Sequence, residues 1–142
     1  IFDNAGPFIA KFDTSASGTL VWDKSLPIGD SSAAENIIID ELENIFASGS
    51  SFNFPPFIGA PGPIPREPIQ TISVKTFDNN MSEQWSAEIP ATNHASIRHM
   101  KLDAQGNLHL AGETHGNVDG NSLAGEQDGF LAKLNSTNGQ IQ

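Results

Sequence analysis

An internal repeat restricts the possible fold of this chain more than any other feature of its sequence. When Trp22 is aligned with Trp85, "IDELENIFASG" (residues 39–49) falls on "LDAQGNLHLAG" (residues 102–112). The alignment places identical Asp, Asn and Gly residues opposite one another and matches several apolar positions. Self-similarity at one fixed offset indicates that a structural unit is repeated along the chain, as it is in solenoids and propellers.

The repeat has a third, partial copy. "FIAKFD" (residues 8–13), "ISVKTFD" (72–78) and "FLAKLN" (130–135) share one pattern, and a third Trp would fall one or two positions after Gln142. The sequence therefore predicts two full repeats and the first strand of a third. The predicted divisions are a first repeat at 1–50, a Pro/Phe-rich insertion arm at 51–70, a second repeat at 71–127 and the first strand of a third repeat at 128–142.

Each repeat contains four short stretches rich in apolar residues, separated by Asp, Asn and Gly. Such a pattern predicts four β-strands joined by tight turns. The predicted strands cover residues 8–12, 20–25, 36–40 and 44–48 in the first repeat, and 72–77, 83–88, 97–102 and 107–111 in the second. The expected fold is therefore all-β, made of four-stranded antiparallel β-propeller blades in an incomplete ring, with a β-sandwich as the alternative.

Two segments of the second repeat and its continuation resemble a known bacterial family. "LDAQGNLHLAGETHGNVDG" (residues 102–120) and "DGFLAKLNSTNG" (128–139) look like the β-propeller repeat called the SBBP repeat. The first repeat departs from this pattern, with Glu43 in place of the Gly in the turn and a Pro-rich insertion after Gly49. The resemblance implies blades of a propeller in a secreted or cell-surface bacterial protein, and it implies no single catalytic activity.

Composition and charge exclude several classes of function. The chain has 17 acidic and 7 basic residues, so it lacks the basic footprint that nucleic-acid binding requires. No run approaches the ~20 apolar residues that a membrane-spanning helix needs. There is no cysteine, and no nucleophile, phosphate-loop or zinc-protease motif is present. We therefore expect a protein that is not an enzyme, does not bind nucleic acid and does not insert into a membrane.

Trp22 and Trp85 occupy equivalent positions in the two repeats. Because the position is repeated, we predict that both side chains belong to the core between neighbouring repeats. The alternative is a stacking platform for sugars.

Oxygen-bearing side chains recur in the Gly-rich segment "GNVDGNSLAGEQDG" (residues 116–129). Asn117, Asp119, Asn121 and Asp128 are the candidate ligands for Ca²⁺, which prefers carboxylate and carbonyl oxygens. The alternative is a polar loop held by turns of its own side chains. No other cofactor is predicted.

Two histidines are predicted to share one face of a β-hairpin. His99 and His109 fall on the face opposite Met100 and Leu108, and imidazole pairs can bind Zn²⁺ or Cu²⁺. A third ligand is not evident, although His94 and His115 lie in nearby loops. The alternative is that both are ordinary polar strand residues.

The insertion arm carries six of the nine prolines and three Phe within residues 50–70. Proline removes backbone donors and fixes φ, so this segment is predicted to be extended and not part of a strand or helix. Its apolar side chains are predicted to contact either further blades in the same longer chain or neighbouring copies, with an intramolecular lid as the alternative. The candidate partner-binding residues are Phe52, Phe54, Phe57 and Ile58.

Together these features predict a non-catalytic secreted or cell-surface propeller segment that acts as a structural or protein-interaction scaffold. The first alternative is a glycan- or ligand-binding module assisted by calcium. The second is the propeller portion of a hydrolase whose catalytic domain lies outside this chain.

Overall fold

The computed structural model describes residues 7–15, 17–26, 28, 33–53 and 69–142. Within those ranges the chain forms strands and no helix, so the predicted all-β fold is confirmed. Every predicted strand is present. The strands are β1 (Phe8–Asp13), β2 (Thr19–Ser25), β3 (Ala33–Ile39), β4 (Ile45–Asn53), β5 (Ile69–Phe77), β6 (Glu83–Ala91), β7 (Ala95–Leu102), β8 (Asn107–Thr114) and β9 (Asp128–Asn135).

The strands form three antiparallel sheets, in which consecutive strands are neighbours. Sheet 1 contains β1 and β2, sheet 2 contains β3 to β6, and sheet 3 contains β7 to β9. Sheet 2 thus combines two strands of the first repeat with two of the second. This corrects the expectation that the four strands of one repeat form one sheet. A sequence repeat can be divided at any point of its period, so similarity alone does not locate the boundary between sheets.

Three of the described hairpin turns are built on the same side-chain motif. The Oδ1 atom of Asp103 accepts hydrogen bonds from the amides of Gln105 (2.9 Å) and Asn107 (2.8 Å). Asp40 and Asp78 accept from the amides two and four residues later in the same way. In each of these turns the third residue after the Asp has a positive φ, and in the first repeat this residue is Glu43 (φ 62°). A non-glycine residue in this region costs roughly 1–2 kcal/mol, which the turn hydrogen bonds offset.

Sheet 2 is covered on both faces. Along β4, Ile45 and Ala47 pack toward sheet 1, while Phe46 packs toward sheet 3. Residues 45–50 are all buried, and the small side chains at 48–50 let the neighbouring sheets approach closely. The core between sheets 2 and 3 includes Phe46, Ile72, Val74, Ile89, Ala91, Ala95, Ile97, Met100, Leu108, Leu110, Val118 and Leu134. Face-to-face stacking of this kind occurs both in propellers and in sandwiches.

Strand β7 is an edge strand of sheet 3, and a glutamine from sheet 2 completes its hydrogen bonding. Nε2 of Gln70 donates to the carbonyl of Ala95 (2.7 Å), and Oε1 of Gln70 accepts from the amide of Ala95 (2.5 Å). Gln70 is fully buried. Its amide group therefore acts as a short substitute for a neighbouring strand.

Two further side chains from β3 act on the same edge of β7. Oε2 of Glu35 accepts from the amide of Ile97 (2.7 Å), and Nδ2 of Asn36 donates to its carbonyl (2.8 Å). Ala95 and Ile97 are two residues apart, so their backbone groups point to the same edge. Because buried backbone groups must be paired, these hydrogen bonds make the contact between sheets 2 and 3 specific.

No helix in the described part of the chain has the length and apolar character needed to cross a membrane.

We predict that Gln70→Leu lowers the free energy of unfolding by about 2–4 kcal/mol, because it leaves the buried amide and carbonyl of Ala95 unpaired. Urea denaturation followed by tryptophan fluorescence measures the change. The matched control is Gln84→Leu on the exposed part of β6, which should change stability by less than about 0.5 kcal/mol. Equal effects of the two substitutions would contradict the role assigned to Gln70.

Candidate interaction surface

Trp85 on β6 connects sheet 2 to the hairpin turn that follows β9. Its Nε1 donates to the carbonyl of Ser136 (2.7 Å), and its ring meets Phe46 edge-on with centroids 6.2 Å apart. The ring also lies directly on Gly139, where an added Cβ would be only 2.6 Å from Cε3 of the indole. The indole therefore fits into the turn of the next sheet.

Trp22 on β2 lies at the contact between sheets 1 and 2. Trp22 and Met81 pack against the same core cluster, and Met81 lies in the turn after β5. Lys24 on the same strand donates its Nζ to the carbonyl of Asn80 in that turn (2.7 Å). Met81 (φ 65°) and Gly139 are both turn residues with positive φ. The structure thus places Trp85 against the turn of sheet 3, and Trp22 against the core cluster between sheets 1 and 2.

The turn between β1 and β2 in sheet 1 has the same geometry, but it has no contact like that of Trp85 with the turn of sheet 3 among the described residues. Gly18 has a φ of 75°, and among the described residues no atom lies within 4 Å of the position that its Cβ would occupy. The side chains just before the three equivalent hairpin turns differ in exposure in the same way. Phe77 and Leu134 are 2% and 0% exposed under the preceding sheet, whereas Phe12 is 56% exposed.

We define the front face of sheet 1 by Phe8, Ala10, Phe12 and Leu20. Phe12 lies opposite Leu20 in the strand pairing, and side chains alternate along β1, so these residues point away from the core that contains Ile9. Phe8, Phe12 and Leu20 are all exposed. A group of exposed apolar side chains, at positions that are buried in the other two sheets, is typical of a binding face.

A groove between sheets 1 and 2 extends this surface. It has a volume of about 450 Å³ and is lined by Phe12, Trp22, Ile37, Ile39 and Ile45, among others. Ile37 and Ile39 on β3 are exposed here, although their neighbour Ile38 packs into the core between sheets 2 and 3. The apolar surface therefore continues from β1 onto β3, an edge strand of sheet 2.

The insertion arm begins and ends as a continuation of the β4–β5 hairpin. Strand pairing extends to Asn53 and resumes at Ile69, with Phe52 opposite Gln70. The first and last residues of the predicted arm are thus strand residues, which corrects their assignment as non-strand. Phe54, Phe57 and Ile58 lie outside the described residues.

Three of the candidate calcium ligands lie in the loop between β8 and β9, and the fourth, Asp128, begins β9; their oxygens do not form a single free cluster. Oδ1 of Asn117 accepts from the amide of Leu123 (3.1 Å), and Oδ2 of Asp128 accepts from the amide of Ala124 (2.5 Å). Asp119, Asn121 and Asp128 line a groove of about 640 Å³ beside sheet 3. In the described ranges, no three His, Cys, Asp or Glu side chains converge as a ready metal site.

His99 and His109 share a face, as predicted, but they are not paired. His99 lies opposite Ala111, and His109 lies opposite Lys101. Nε2 of His109 is instead 2.9 Å from Oδ2 of Asp103. This contact, together with hydrogen bonds from Asn107, holds the pKa of Asp103 well below its usual range.

The two histidines that do meet are His94 and His115, whose ring centroids are 5.8 Å apart. Sequence analysis placed them only in nearby loops. Counting from the hairpin turn puts His94 opposite Gly116, because the count cannot include the β-bulge between Ile97 and His99. The bulge shifts the register by one residue and brings the two rings together.

Comparisons with models of protein families and with curated proteins find no match to this chain.

We predict that Gly139→Ala is more destabilising than Gly18→Ala. Both glycines have positive φ, so both substitutions carry the same backbone cost, but only the Cβ at position 139 meets Trp85. The difference in unfolding free energy should be about 1–3 kcal/mol, the usual cost of overpacking. Thermal or urea denaturation of the two variants measures it, and no difference between them would contradict the assigned fit of the indole.

Proposed function

We propose that the chain is a non-catalytic structural segment of an SBBP-type β-propeller, in which the three sheets are successive blades. The observation that carries the proposal is the exposed front face of sheet 1. The equivalent faces of sheets 2 and 3 are buried beneath a preceding sheet, and on sheet 3 Trp85 reaches into the turn. In the described part of the chain, the front face of sheet 1 is exposed and has no such cover.

The stacking of three sheets also supports blades over a sandwich. A sandwich has two packed layers, so each of its sheets buries one face. The central strands of sheet 2 bury side chains on both faces, as expected for a unit in a series that can be extended. The alternating contacts of Ile45 and Phe46 to opposite sides are the most direct sign of this arrangement.

The proposed partner of the front face is a further blade, from the same longer chain or from a neighbouring copy. It would place apolar side chains over Phe12 and Leu20, and a tryptophan or similar ring against Gly18. By the same resemblance, we propose a secreted or cell-surface bacterial protein. The net charge of −10 favours solubility of such a surface protein and disfavours nucleic acid as a partner.

The proposal predicts that the full chain self-associates through the front face of sheet 1. Size-exclusion chromatography with light scattering should give a mass above the monomer that rises with concentration. Phe12→Ser combined with Leu20→Ser should return the mass to that of a monomer, since it removes the apolar contact. Circular dichroism should confirm that the sheet content is retained.

The matched control is Leu42→Ser, which changes an exposed leucine in the turn between β3 and β4 that is not part of the front face of sheet 1. This variant should associate as the unmodified chain does. A monomer at every concentration, or an equal loss of association in the control, would count against the proposed partner face.

A second candidate function is the binding of a glycan or another ligand, with calcium as an aid. The groove beside sheet 3 favours it, because carboxylate and amide oxygens of Asp119, Asn121 and Asp128 lie there near the ring of Phe130. Rings and oxygen ligands converging in one concave surface are typical of small-molecule sites.

This candidate predicts that millimolar calcium raises the melting temperature, because an ion that binds only the folded chain stabilises it. Asp119→Ala combined with Asp128→Ala should abolish the shift. Glu126→Gln is the control, since this exposed residue of the same loop does not line the groove. The same melting temperature in calcium and in chelator would eliminate the calcium-assisted function.

A further inference from the structure

Sheet 3 has a second face, which points away from sheet 2. Leu110 and Leu134 are buried against sheet 2, and side chains alternate along a strand, so the residues next to them point the other way. Strand pairing places five such residues side by side, and we define the rear face of sheet 3 by them: Lys101, His109, Ala111, Leu131 and Lys133. Leu131 is 74% exposed, so the apolar part of this face is open to solvent.

The equivalent face of sheet 2 is covered by sheet 3. Val74 lies opposite Ser48 in the strand pairing, and Leu131 lies opposite Ala111. The sequence repeat aligns Ser48 with Ala111, so Val74 and Leu131 occupy equivalent positions. Val74 is fully buried in the core between sheets 2 and 3. The rear face of sheet 3 is therefore the equivalent of a face on which this chain packs a whole sheet.

The two exposed faces of the chain are the two halves of one contact. Leu134 at the front of sheet 3 and Val74 at the rear of sheet 2 belong to the same buried cluster. The equivalent of Leu134 in sheet 1 is Phe12, and the equivalent of Val74 in sheet 3 is Leu131. Phe12 and Leu131 are both exposed. The front of sheet 1 and the rear of sheet 3 thus correspond to faces that fit each other between sheets 2 and 3.

The rear face of sheet 3 is basic, in a chain whose net charge is −10. Lys101 and Lys133 lie on either side of His109 in the strand pairing. Glu113, further along β8, is paired with Arg98, so these two charges compensate each other. The two lysines remain as the excess charge of this face.

The charged residue on the front face of sheet 1 is acidic. Asp23 lies opposite Ala10 in the strand pairing, so both side chains are on the front face. The lysines of the same two strands are directed elsewhere, since Lys24 donates to the carbonyl of Asn80 and Lys11 is 3.9 Å from a carboxylate oxygen of Glu43. Opposite charges favour contact of a front face with a rear face over contact of two front faces.

We propose that the rear face of sheet 3 binds the front face of sheet 1 of a second copy of this chain. The proposal rests on the proposed function and specifies its partner, which is a neighbouring copy that contributes its sheet 3. The contact would place Leu131 of one copy near Phe12 of the next. Because the two faces differ, the contact is heterologous, and copies add head to tail until a ring closes or a filament forms.

The test uses two variants, each of which removes one face. Phe12→Ser combined with Leu20→Ser is the front variant, and Leu131→Asp is the rear variant. Size-exclusion chromatography with light scattering should give masses above a dimer for the unmodified chain at high concentration, and a monomer for each variant alone. An equimolar mixture of the two variants should give twice the monomer mass, because one intact front face and one intact rear face remain.

Circular dichroism verifies the fold of each variant, and Leu131→Ser replaces Leu131→Asp if the aspartate reduces the sheet signal. Leu42→Asp is the matched control, since it places the same charge at an exposed leucine outside both faces. It should associate as the unmodified chain does.

Three results would overturn the proposal. If the rear variant associates like the unmodified chain while the front variant does not, the second copy binds elsewhere, and the proposed function of the front face still stands. If both variants are monomers and their mixture also stays monomeric, the two faces are not partners. If the unmodified chain is a monomer at every concentration, both the head-to-tail contact and the proposed self-association fail.

Discussion

The contact between sheets 2 and 3 depends on one buried amide group. An edge strand such as β7 presents backbone donors and acceptors that would be costly to bury unpaired. Gln70 satisfies both groups of Ala95, and Glu35 and Asn36 satisfy those of Ile97. Apolar packing alone would hold the sheets together in many relative positions. These directional bonds select one position, and this position also sets where Trp85 meets the turn of the next sheet.

A repeated contact then turns pairs of sheets into a series. Trp85 reaches from sheet 2 into the hairpin turn of sheet 3, where Gly139, with its positive φ, leaves room for the indole, and Trp22 packs against the cluster between sheets 1 and 2 that Met81 also contacts. The same turn in sheet 1 is formed, and no described residue lies against its Gly18. This contact links the structure to the proposed function, because the exposed front face of sheet 1 is equivalent to faces that are buried in sheets 2 and 3. A scaffold needs only such a repeatable face, and no catalytic group.

The strands and turns could be predicted from sequence because local chemistry determines them: alternating apolar residues and Asp–Asn turns specify a hairpin without reference to distant residues. The grouping of strands into sheets could not be predicted from sequence, because a sequence repeat does not show where one sheet ends and the next begins. Gln70 gave no signal, as its role depends on a partner 25 residues away. The meeting of His94 with His115 was hidden by a bulge of one residue, while His99 and His109 were placed on the correct face.

Amide hydrogen exchange at Ala95 and Ile97, resolved residue by residue by nuclear magnetic resonance, tests the account most directly. If side chains of sheet 2 complete the edge of β7, both amides should exchange as slowly as that of Leu110 in the centre of sheet 3. Exchange as fast as at exposed Val21, with Leu110 still protected, would show that the edge of β7 is open to water. The proposed contact between sheets 2 and 3 would then be absent in solution.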